Sequence, residues 1–469
     1  MAACALPVAQ TDAGVALPAQ WQSPASRDAG AVNAQWWRSF GSVELAALVE
    51  SAQRDSFDVA AAVARVRQAD ALVRISGASL VPEITAGAAA ERVKAVGYPV
   101  VNDYSGYFAA SYELDLWGAN RSARQGAIDT LGATAAARDA VVLTLTGDIA
   151  DTYWQVLALR ERAAIAREDL AAGQQLLGFI QSQYRAGAAT PGDVAQQTAL
   201  VAQLRQSVAQ YVQQAHDSRI ALAVLSGRAP QSLAVSGVSI DDVTAPVIDA
   251  GLPVDVLTRR PDIAAAERQL AAANANVTVA RAAMLPSITL TAQFGAGNTH
   301  LANLFDHPIY DLAAGLSAPI FNAGRLAANR DLALAQREER LANYRSAIVA
   351  ALGDVEAALN AIDGIEARQR AQDEALAQAS VALNQAESRY RAGAETLLSV
   401  LDAQRTLYAA RDGAVQLKLA RLQAAVALFK ALGGGWQANR GGAQTAAVNH
   451  EGGVDRSEAN CSSAGECHE

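Results

Sequence analysis

The sequence predicts an α+β membrane protein in which one unit, made of long coiled-coil helical hairpins and short amphipathic strands, occurs twice. Three landmarks recur in the same order about 205 residues apart. They are YRAGAAT at 184–190 and YRAGAET at 390–396, PEIT at 82–85 and PSIT at 286–289, and LWGANR at 116–121 and IFNAGR at 320–325. Because order and spacing are both kept, we interpret the chain as a tandem duplication, with repeats at 41–240 and 241–432.

The composition favours helices and excludes several classes of protein. Hydrophobic residues make up 51% of the chain but aromatic residues only 5%, and the excess is Ala, Val and Leu, which suits closely packed helices. No run of 18 apolar residues occurs, so helical membrane spans are not expected. The formal net charge is -9 and basic residues do not cluster, which argues against nucleic acid as a partner.

The two ends of the chain carry its cysteines. In the N-terminal segment, 1–40, Cys4 follows small residues, as at the end of a bacterial lipoprotein signal, although the charged and apolar parts of such a signal are missing. Cys4 is therefore either an acylated lipid anchor or an incidental cysteine. The Gly- and Ser-rich tail 433–469, which holds Cys461 and Cys467, is predicted to be disordered.

Each repeat is predicted to contain a very long helical hairpin. No proline lies between Pro99 and Pro191 or after Pro319, so 119–184 and 323–390 can each form one helix of about 65 residues, roughly 100 Å long. Apolar residues at heptad spacing predict supercoiling, as at Ile348, Leu352, Val355, Leu359 and Ile362. Gly187 and Gly393 can end these helices in the left-handed conformation, and second helices then return over about 193–226 and 396–432.

Before each long helix the apolar period changes from helical to two. Strands of roughly 10 residues with one apolar and one polar face are predicted within 82–117 and 286–321, a pattern typical of transmembrane β-barrels. A half-buried sheet in a soluble protein would show the same alternation. Four strands cannot close a barrel, and open edges cannot face lipid, so a membrane sheet would require several chains. Three chains would supply twelve strands and enough long helices for an α-barrel continuous with the β-barrel.

Further matches identify a family resemblance over about 17–432. They include LPVDVLTRRPDI at 252–263, ANA at 273–275, ARAAMLPSI at 280–288 and Trp36-Trp37. The chain resembles the TolC-like outer membrane efflux channels, in particular the NodT/OprM-type lipoproteins of RND efflux systems. The resemblance implies a homotrimer that crosses the outer membrane of a Gram-negative bacterium, extends into the periplasm and is anchored at Cys4. It also implies that RRPD at 259–262 opens a short equatorial helix.

The same resemblance implies the partners and the functional ends of the molecule. A periplasmic adaptor would dock at the hairpin tips, connecting the channel to an inner-membrane RND pump; the tip residues are Tyr184, Arg185, Gly187, Tyr390, Arg391 and Gly393. Acidic residues just beyond the turns would ring the pore aperture, and by distance from the glycines these are Asp402 and Asp193. Glu395, which stands where such channels sometimes have a basic residue, is placed at the aperture with them. Simpler roles are a solvated helical residue or a local pair with Arg405 for Asp402, helix capping for Asp193, and ordinary capping for the tip arginines.

The expected function is a passive exit duct for small molecules in a tripartite efflux system. No catalytic constellation, metal motif or phosphate loop occurs, so we expect neither enzymatic activity nor a cofactor. Two alternatives remain: an outer membrane channel for type I protein secretion, and a coiled-coil scaffold that transports nothing. The transported substrate cannot be read from the residues.

Overall fold

The computed structural model describes residues 14–23 and 32–437. Cys4, Cys461 and Cys467 lie outside these residues. The first repeat contains α1 (Val43–Asp55), α2 (Phe57–Ala78), β1 (Glu83–Val93), β2 (Val101–Leu114), α3 (Ala119–Arg185) and α4 (Pro191–Leu225). The second contains the short α5 (Val256–Arg259), α6 (Pro261–Ala282), β3 (Ser287–Asn298), β4 (Pro308–Ser317), α7 (Arg325–Arg391) and α8 (Leu397–Ala431).

The predicted duplication is confirmed in the lengths of the helices. Helices α3 and α7 have 67 residues each, α4 and α8 have 35 each, and α2 and α6 have 22 each. The structure corrects the alignment of the two copies at one point. Left-handed glycines precede both long helices, Gly118 with φ 79° and Gly324 with φ 82°, so these two positions correspond. Ser111 pairs with Glu83 and Ser317 pairs with Ser287, so the offset is already 206 residues at β2 and β4. The second copy therefore carries two extra residues in the loop 299–307 between β3 and β4, and 116–121 corresponds to 322–327 and not to 320–325.

The expected short equatorial helix is longer than predicted. Pro261 and Asp262 do open it, at its first two positions, but the resulting α6 runs for 22 residues and packs along α3 and α7 towards the sheet. It continues because no proline or glycine interrupts the chain until Pro286. Helix α2, its counterpart in the first repeat, packs on α3 in the same way and was not predicted.

The four strands form one antiparallel sheet in the order β1-β2-β3-β4. Its register aligns Ile84, Ala110, Ala292 and Leu312 in one row across the sheet. Large apolar side chains on this face are well exposed in the single chain: Ile84 73%, Phe108 62%, Phe294 60%, Tyr310 84% and Leu312 80%. The opposite face carries polar residues such as Thr85, Gln293 and Asp311. The predicted alternation of apolar and polar faces is therefore present in the structure.

The main apolar core lies around the middle of the long helices, where Trp36 and Phe40 pack. The Trp36 ring stacks on Phe429 of α8 at 4.9 Å, and Phe40 lies 5.5 Å from Trp154 of α3. The packed chain extends past Leu432, where the tail was predicted to begin. The Gly434 amide donates to the Phe429 carbonyl at 2.8 Å, and the Trp436 indole donates to Asp139 at 2.9 Å.

Helices α8 and α6 meet end to end between α3 and α7, and Arg260 joins them. Its guanidinium donates to the Ala431 carbonyl at 3.2 Å and pairs with Asp354 at 2.9 Å and Asp262 at 2.7 Å, while its side chain is only 12% exposed. The chain passes this junction at Gly433, whose φ is 82°; a Cβ there would lie 1.9 Å from the Arg259 carbonyl oxygen. One arginine thus holds three helices together.

Asp151 lies beside this junction with a largely buried carboxyl group. Burial raises the pKa of Asp151 to about 7, with a further increase from Asp148 and an opposing contribution from Lys430. Lys430 makes its ion pair with Asp148, at 3.0 Å, and the Asp151 Oδ1 atom has no hydrogen-bond partner among the described residues. Asp151 therefore keeps its proton to higher pH in the folded chain than an exposed aspartate does.

We expect Arg260→Met to lower the free energy of unfolding by about 2 kcal/mol, because it leaves two carboxylates and a helix-end carbonyl unpaired. The effect is smaller than for a fully buried pair, since Asp262 and Asp354 are 42% and 55% exposed. Thermal unfolding of the detergent-purified chain measures it. Arg259→Met removes a neighbouring arginine that is 43% exposed and should cost less than about 1 kcal/mol. Equal losses for the two variants would contradict the role of Arg260.

We expect Asp151→Asn to remove a pH-dependent loss of stability. Between about pH 4 and pH 7 the unfolded chain releases the Asp151 proton first, so rising pH lowers the free energy of unfolding of the wild-type protein. The variant should therefore be more stable than the wild type at about pH 8, by on the order of 2 kcal/mol, and not at about pH 4. Asp217→Asn, an exposed control on α4, should show no such pH-dependent difference, which thermal melts at both pH values would reveal.

Candidate docking and gating tip

The two hairpin turns have the same backbone geometry. Gly187 and Gly393 adopt φ values of 76° and 73°, as predicted, and their amides donate to the Tyr184 and Tyr390 carbonyls at 3.0 Å. A Cβ at either glycine would meet no atom within 4 Å. Glycine is therefore required by the left-handed backbone conformation and not by lack of space.

Asp193 caps α4 at the first turn. Its carboxylate accepts from the Thr190 amide at 2.8 Å and from the Thr190 hydroxyl at 2.7 Å, while the Asp193 amide donates back to that hydroxyl at 3.2 Å. This is a capping box, which satisfies amides that the first helical turn leaves unpaired. Of the two roles considered for Asp193, the geometry supports helix capping.

At the second turn, different residues make the hydrogen bonds at the start of the returning helix. Ser399 occupies the position that corresponds to Asp193. The acidic residue of this turn is Glu395, just before the N-cap residue Thr396. The Ser399 hydroxyl donates to Glu395 at 2.9 Å and the Thr396 amide donates at 3.3 Å. These two hydrogen bonds lower the pKa of Glu395, and Arg389 at 3.8 Å contributes in the same direction. The Glu395 carboxylate is therefore engaged within its own turn.

Of the three acidic residues near the turns, Asp402 is the one whose carboxylate has no partner in the described part of the chain. Its side chain is exposed, and its carboxylate makes no hydrogen bond or ion pair with any residue that the structure describes. The Thr406 hydroxyl donates to the backbone carbonyl of Asp402, at 2.9 Å, and not to its carboxylate. The local pair with Arg405 that the sequence suggested does not form.

The tip tyrosines and arginines differ between the two turns. Tyr184 is 47% exposed, and Arg185 folds back on its own helix, donating to the Ser182 hydroxyl at 3.1 Å. Tyr390 instead crosses to the other hairpin: its hydroxyl donates to Gln183 at 3.1 Å, and its ring meets Phe179 edge to face at 6.2 Å. Arg391 pairs with Glu387 of its own helix at 3.3 Å. Tyr390 is thus the tip residue that links the hairpins.

Two further ion pairs join the hairpins behind the tips, and sequence reasoning missed both. Arg162 of α3 pairs with Asp412 of α8 at 2.6 Å, and Arg411 of α8 pairs with Asp169 of α3 at 2.8 Å. Burial raises the pKa of Asp169 to about 6, against the opposing effect of Arg411. Partners in these pairs lie more than 200 residues apart in the chain, so no local motif could signal them.

An apolar cluster between the ion pairs and the tips packs the two hairpins together. Its buried residues come from α3, α4 and α8, and Leu383 and Tyr390 of α7 pack against them. The buried residues are Leu176, Ile180, Leu200, Leu204, Leu397, Val400 and Leu401. The tip therefore combines a shared apolar core, two ion pairs across the α3–α8 contact, a linking tyrosine and one exposed free carboxylate.

Known proteins with this arrangement are outer membrane efflux components. The family model described as outer membrane efflux protein matches residues 48–228 and 252–434. The pyoverdine export outer membrane protein OpmQ of Pseudomonas aeruginosa is 47% identical over 456 residues, covering 94% of this chain and 96% of the relative. The toluene efflux pump outer membrane protein TtgF of Pseudomonas putida is 33% identical, with coverages of 91% and 89%.

Solved structures agree with these sequence matches. The outer-membrane channel OprN superposes with a TM-score of 0.85 at 26% identity, covering 92% of this chain and 99% of the other. The open state of the MtrE outer membrane channel of Neisseria gonorrhoeae gives a TM-score of 0.83 at 29% identity, with coverages of 93% and 99%. The chain therefore belongs to the outer membrane efflux protein family and has the fold and function of an outer membrane efflux channel.

Proposed function

We propose that three copies of the chain close into one duct, with twelve shared strands in the outer membrane and an α-barrel of long helices in the periplasm. The observation that carries this proposal is the four-stranded sheet. Its large apolar residues are exposed on one face, and its edge strands β1 and β4 each have one unpaired side. Unpaired backbone groups cost several kcal/mol each in lipid, so the edges require partners of the same kind.

The duct receives its cargo from a periplasmic adaptor and an inner-membrane RND pump. Helices of 67 residues span about 100 Å, long enough to reach far from the membrane towards such partners. The adaptor docks at the paired turns, against Tyr184, Arg185 and Gly187 on one hairpin and Tyr390, Arg391 and Gly393 on the other. This assignment is supported by the repetition of the same turn geometry at both tips.

The cargo is a small molecule of the siderophore type that moves passively through the lumen. This choice rests on the relatives: two proteins named for pyoverdine export are 47% and 46% identical to this chain, whereas those named for toluene or cation efflux are 33% and 31% identical. The relatives so named give no support to protein secretion or to a non-transporting scaffold.

Asp402 forms the acidic ring of the aperture, whereas Asp193 and Glu395 shape the turns beside it. Three symmetry-related Asp402 carboxylates in a narrow opening would attract cations and hold divalent ions. The proposal is supported by the exposed, unpartnered state of Asp402 and by the local hydrogen bonds that occupy the other two acids.

Cys4 carries the lipid anchor. The segment 14–23 lies along α7, with Gly14 beside Arg345 and the Ser23 amide donating to Glu356 at 2.6 Å, so the chain runs towards the start of α7. From Arg345 to Arg325 the helix rises about 30 Å, and the ten residues from Cys4 to Gly14 can span at most about 35 Å. Cys4 can therefore reach the membrane end of the molecule.

We expect the purified chain in mild detergent to have a protein mass about three times the 48.7 kDa of one chain. Light scattering corrected for bound detergent measures this mass. A monomer or dimer that persists across several detergents would leave the sheet edges without partners and contradict the proposed barrel.

We expect Asp402→Ala to raise single-channel conductance about two-fold and to weaken block by divalent cations, because the aperture loses its ring of charge. Currents across planar bilayers measure both effects. Asp193→Ala is the matched control: it removes an acid one turn from the other tip and should cost about 1 kcal/mol of stability without changing divalent block. Equal effects on block would place Asp193 in the aperture as well.

A further inference from the structure

A basic pocket lies on the flank of the α3–α4 hairpin, well behind the tip. Its volume is about 470 Å³, and it is bounded by α3, α4 and the loop that follows α4. Four of its lining residues are basic, namely Arg160 and Arg167 of α3 and His216 and Arg219 of α4. Among the residues that the structure describes, no acidic side chain lines this pocket.

The two deeper arginines are held in place by backbone carbonyl groups. Nη1 of Arg160 donates to the Val235 carbonyl at 2.8 Å and also to that of Gly237. Nη1 of Arg219 donates to the carbonyls of Pro230 at 2.7 Å and Leu233 at 2.9 Å. Neither guanidinium forms an ion pair within the described chain, so both keep their charge, and their Nη2 and Nε groups remain available as donors.

Arg167 and His216 complete the pocket at its open side. Both side chains are exposed, and neither makes a hydrogen bond or ion pair with a described residue. No acid forms an ion pair with this group among the described residues. Glu44 and Arg160 both bond to Gly237, but Glu44 accepts its hydrogen bonds from Tyr153, Ser236 and Gly237 and makes none with Arg160. Glu161 and Glu168 line a separate groove on the α8 side of α3. Asp217, next to His216 on α4, is the remaining acid close in sequence.

The chemistry of the pocket selects an oxyanion. Two guanidinium groups fixed by backbone carbonyls present planar donors suited to phosphate or carboxylate oxygens, and little side-chain entropy remains to be lost on binding. The volume lies within the range of small-molecule sites. Arg160 is about 40 residues along α3 from the sheet, which corresponds to roughly 60 Å, so the head group of a membrane lipid cannot reach it.

We propose that this pocket binds a small soluble oxyanion with two or more negative charges, such as a diphosphate or a polycarboxylate. The site is separate from the tip and from the apolar face of the sheet, and the proposal does not depend on the identity of the cargo.

Isothermal titration calorimetry of the full-length, detergent-purified protein at low ionic strength tests the proposal, with pyrophosphate and citrate as probes. We expect saturable binding at one site per chain, weakened at least five-fold by Arg167→Ala. Arg205→Ala is the matched control, because it removes an exposed arginine of α4 outside the pocket, and it should change affinity less than two-fold. Arg219→Lys keeps the charge but not the planar donors and should also weaken binding at least five-fold.

Two results would overturn the proposal. One is the absence of saturable binding of both probes up to millimolar concentration, including the case in which an acidic peptide binds instead, which would make the pocket a protein-docking surface. The other is equal weakening by Arg167→Ala and Arg205→Ala, which would mean that the probes respond to overall charge and not to this pocket.

Discussion

The unpaired backbone groups along β1 and β4 are the constraint on which the rest of the architecture depends. A four-stranded sheet with one apolar face cannot stay open in a bilayer, because its edge amides and carbonyls would have no partners there. The proposed closure with identical sheets would make the assembly a ring. Each strand hairpin leads into a long helix, so the number of helices around the proposed tube would follow from the number of strands in the barrel. The duplication supplies both hairpins of the sheet in one chain.

Duplication preserved backbone geometry more strictly than side-chain chemistry. Three pairs of corresponding helices, α2 and α6, α3 and α7, and α4 and α8, have the same length, although α5 is shorter than α1; the glycines at both turns keep the left-handed conformation. The contacts around them have diverged: Asp193 caps the first turn, whereas Ser399 and Glu395 share that task in the second. The same holds at the helix junctions, where Arg260 joins α6 to α8 but the corresponding position before α2 is Ser56. The shared backbone geometry would allow the proposed ring to close with two similar units per chain, while their different side chains could give each interface a different role.

The sequence revealed the elements whose signals are local. The absence of proline marked α3 and α7, glycine marked the turns, and alternation marked the strands, each within a few residues of the observed bounds. Helix α2 was missed because its many alanines give no clear apolar stripe. The ion pairs of Arg162 and Arg411 were missed because their partners are distant in the chain. The spacing of Asp193 from the turn fits both a helix cap and a pore-lining acid. Its capping hydrogen bonds depend on side-chain geometry, which the sequence does not give.

The distribution of contacts at the tip indicates where the duct would have to open. Within each hairpin the shorter helix packs on the longer one, α4 on α3 and α8 on α7, whereas the two hairpins meet along the seam between α3 and α8. Near the tip the links across this seam include the pairs Arg162–Asp412 and Arg411–Asp169, and Tyr390 of α7 adds a hydrogen bond to Gln183 of α3. The turns themselves are closed by backbone hydrogen bonds that separation of the hairpins would not break. Opening therefore costs charged and apolar contacts along the seam while each turn keeps its shape. A partner that docks on the intact turns could then supply this energy by binding the separated hairpins more tightly than the closed ones.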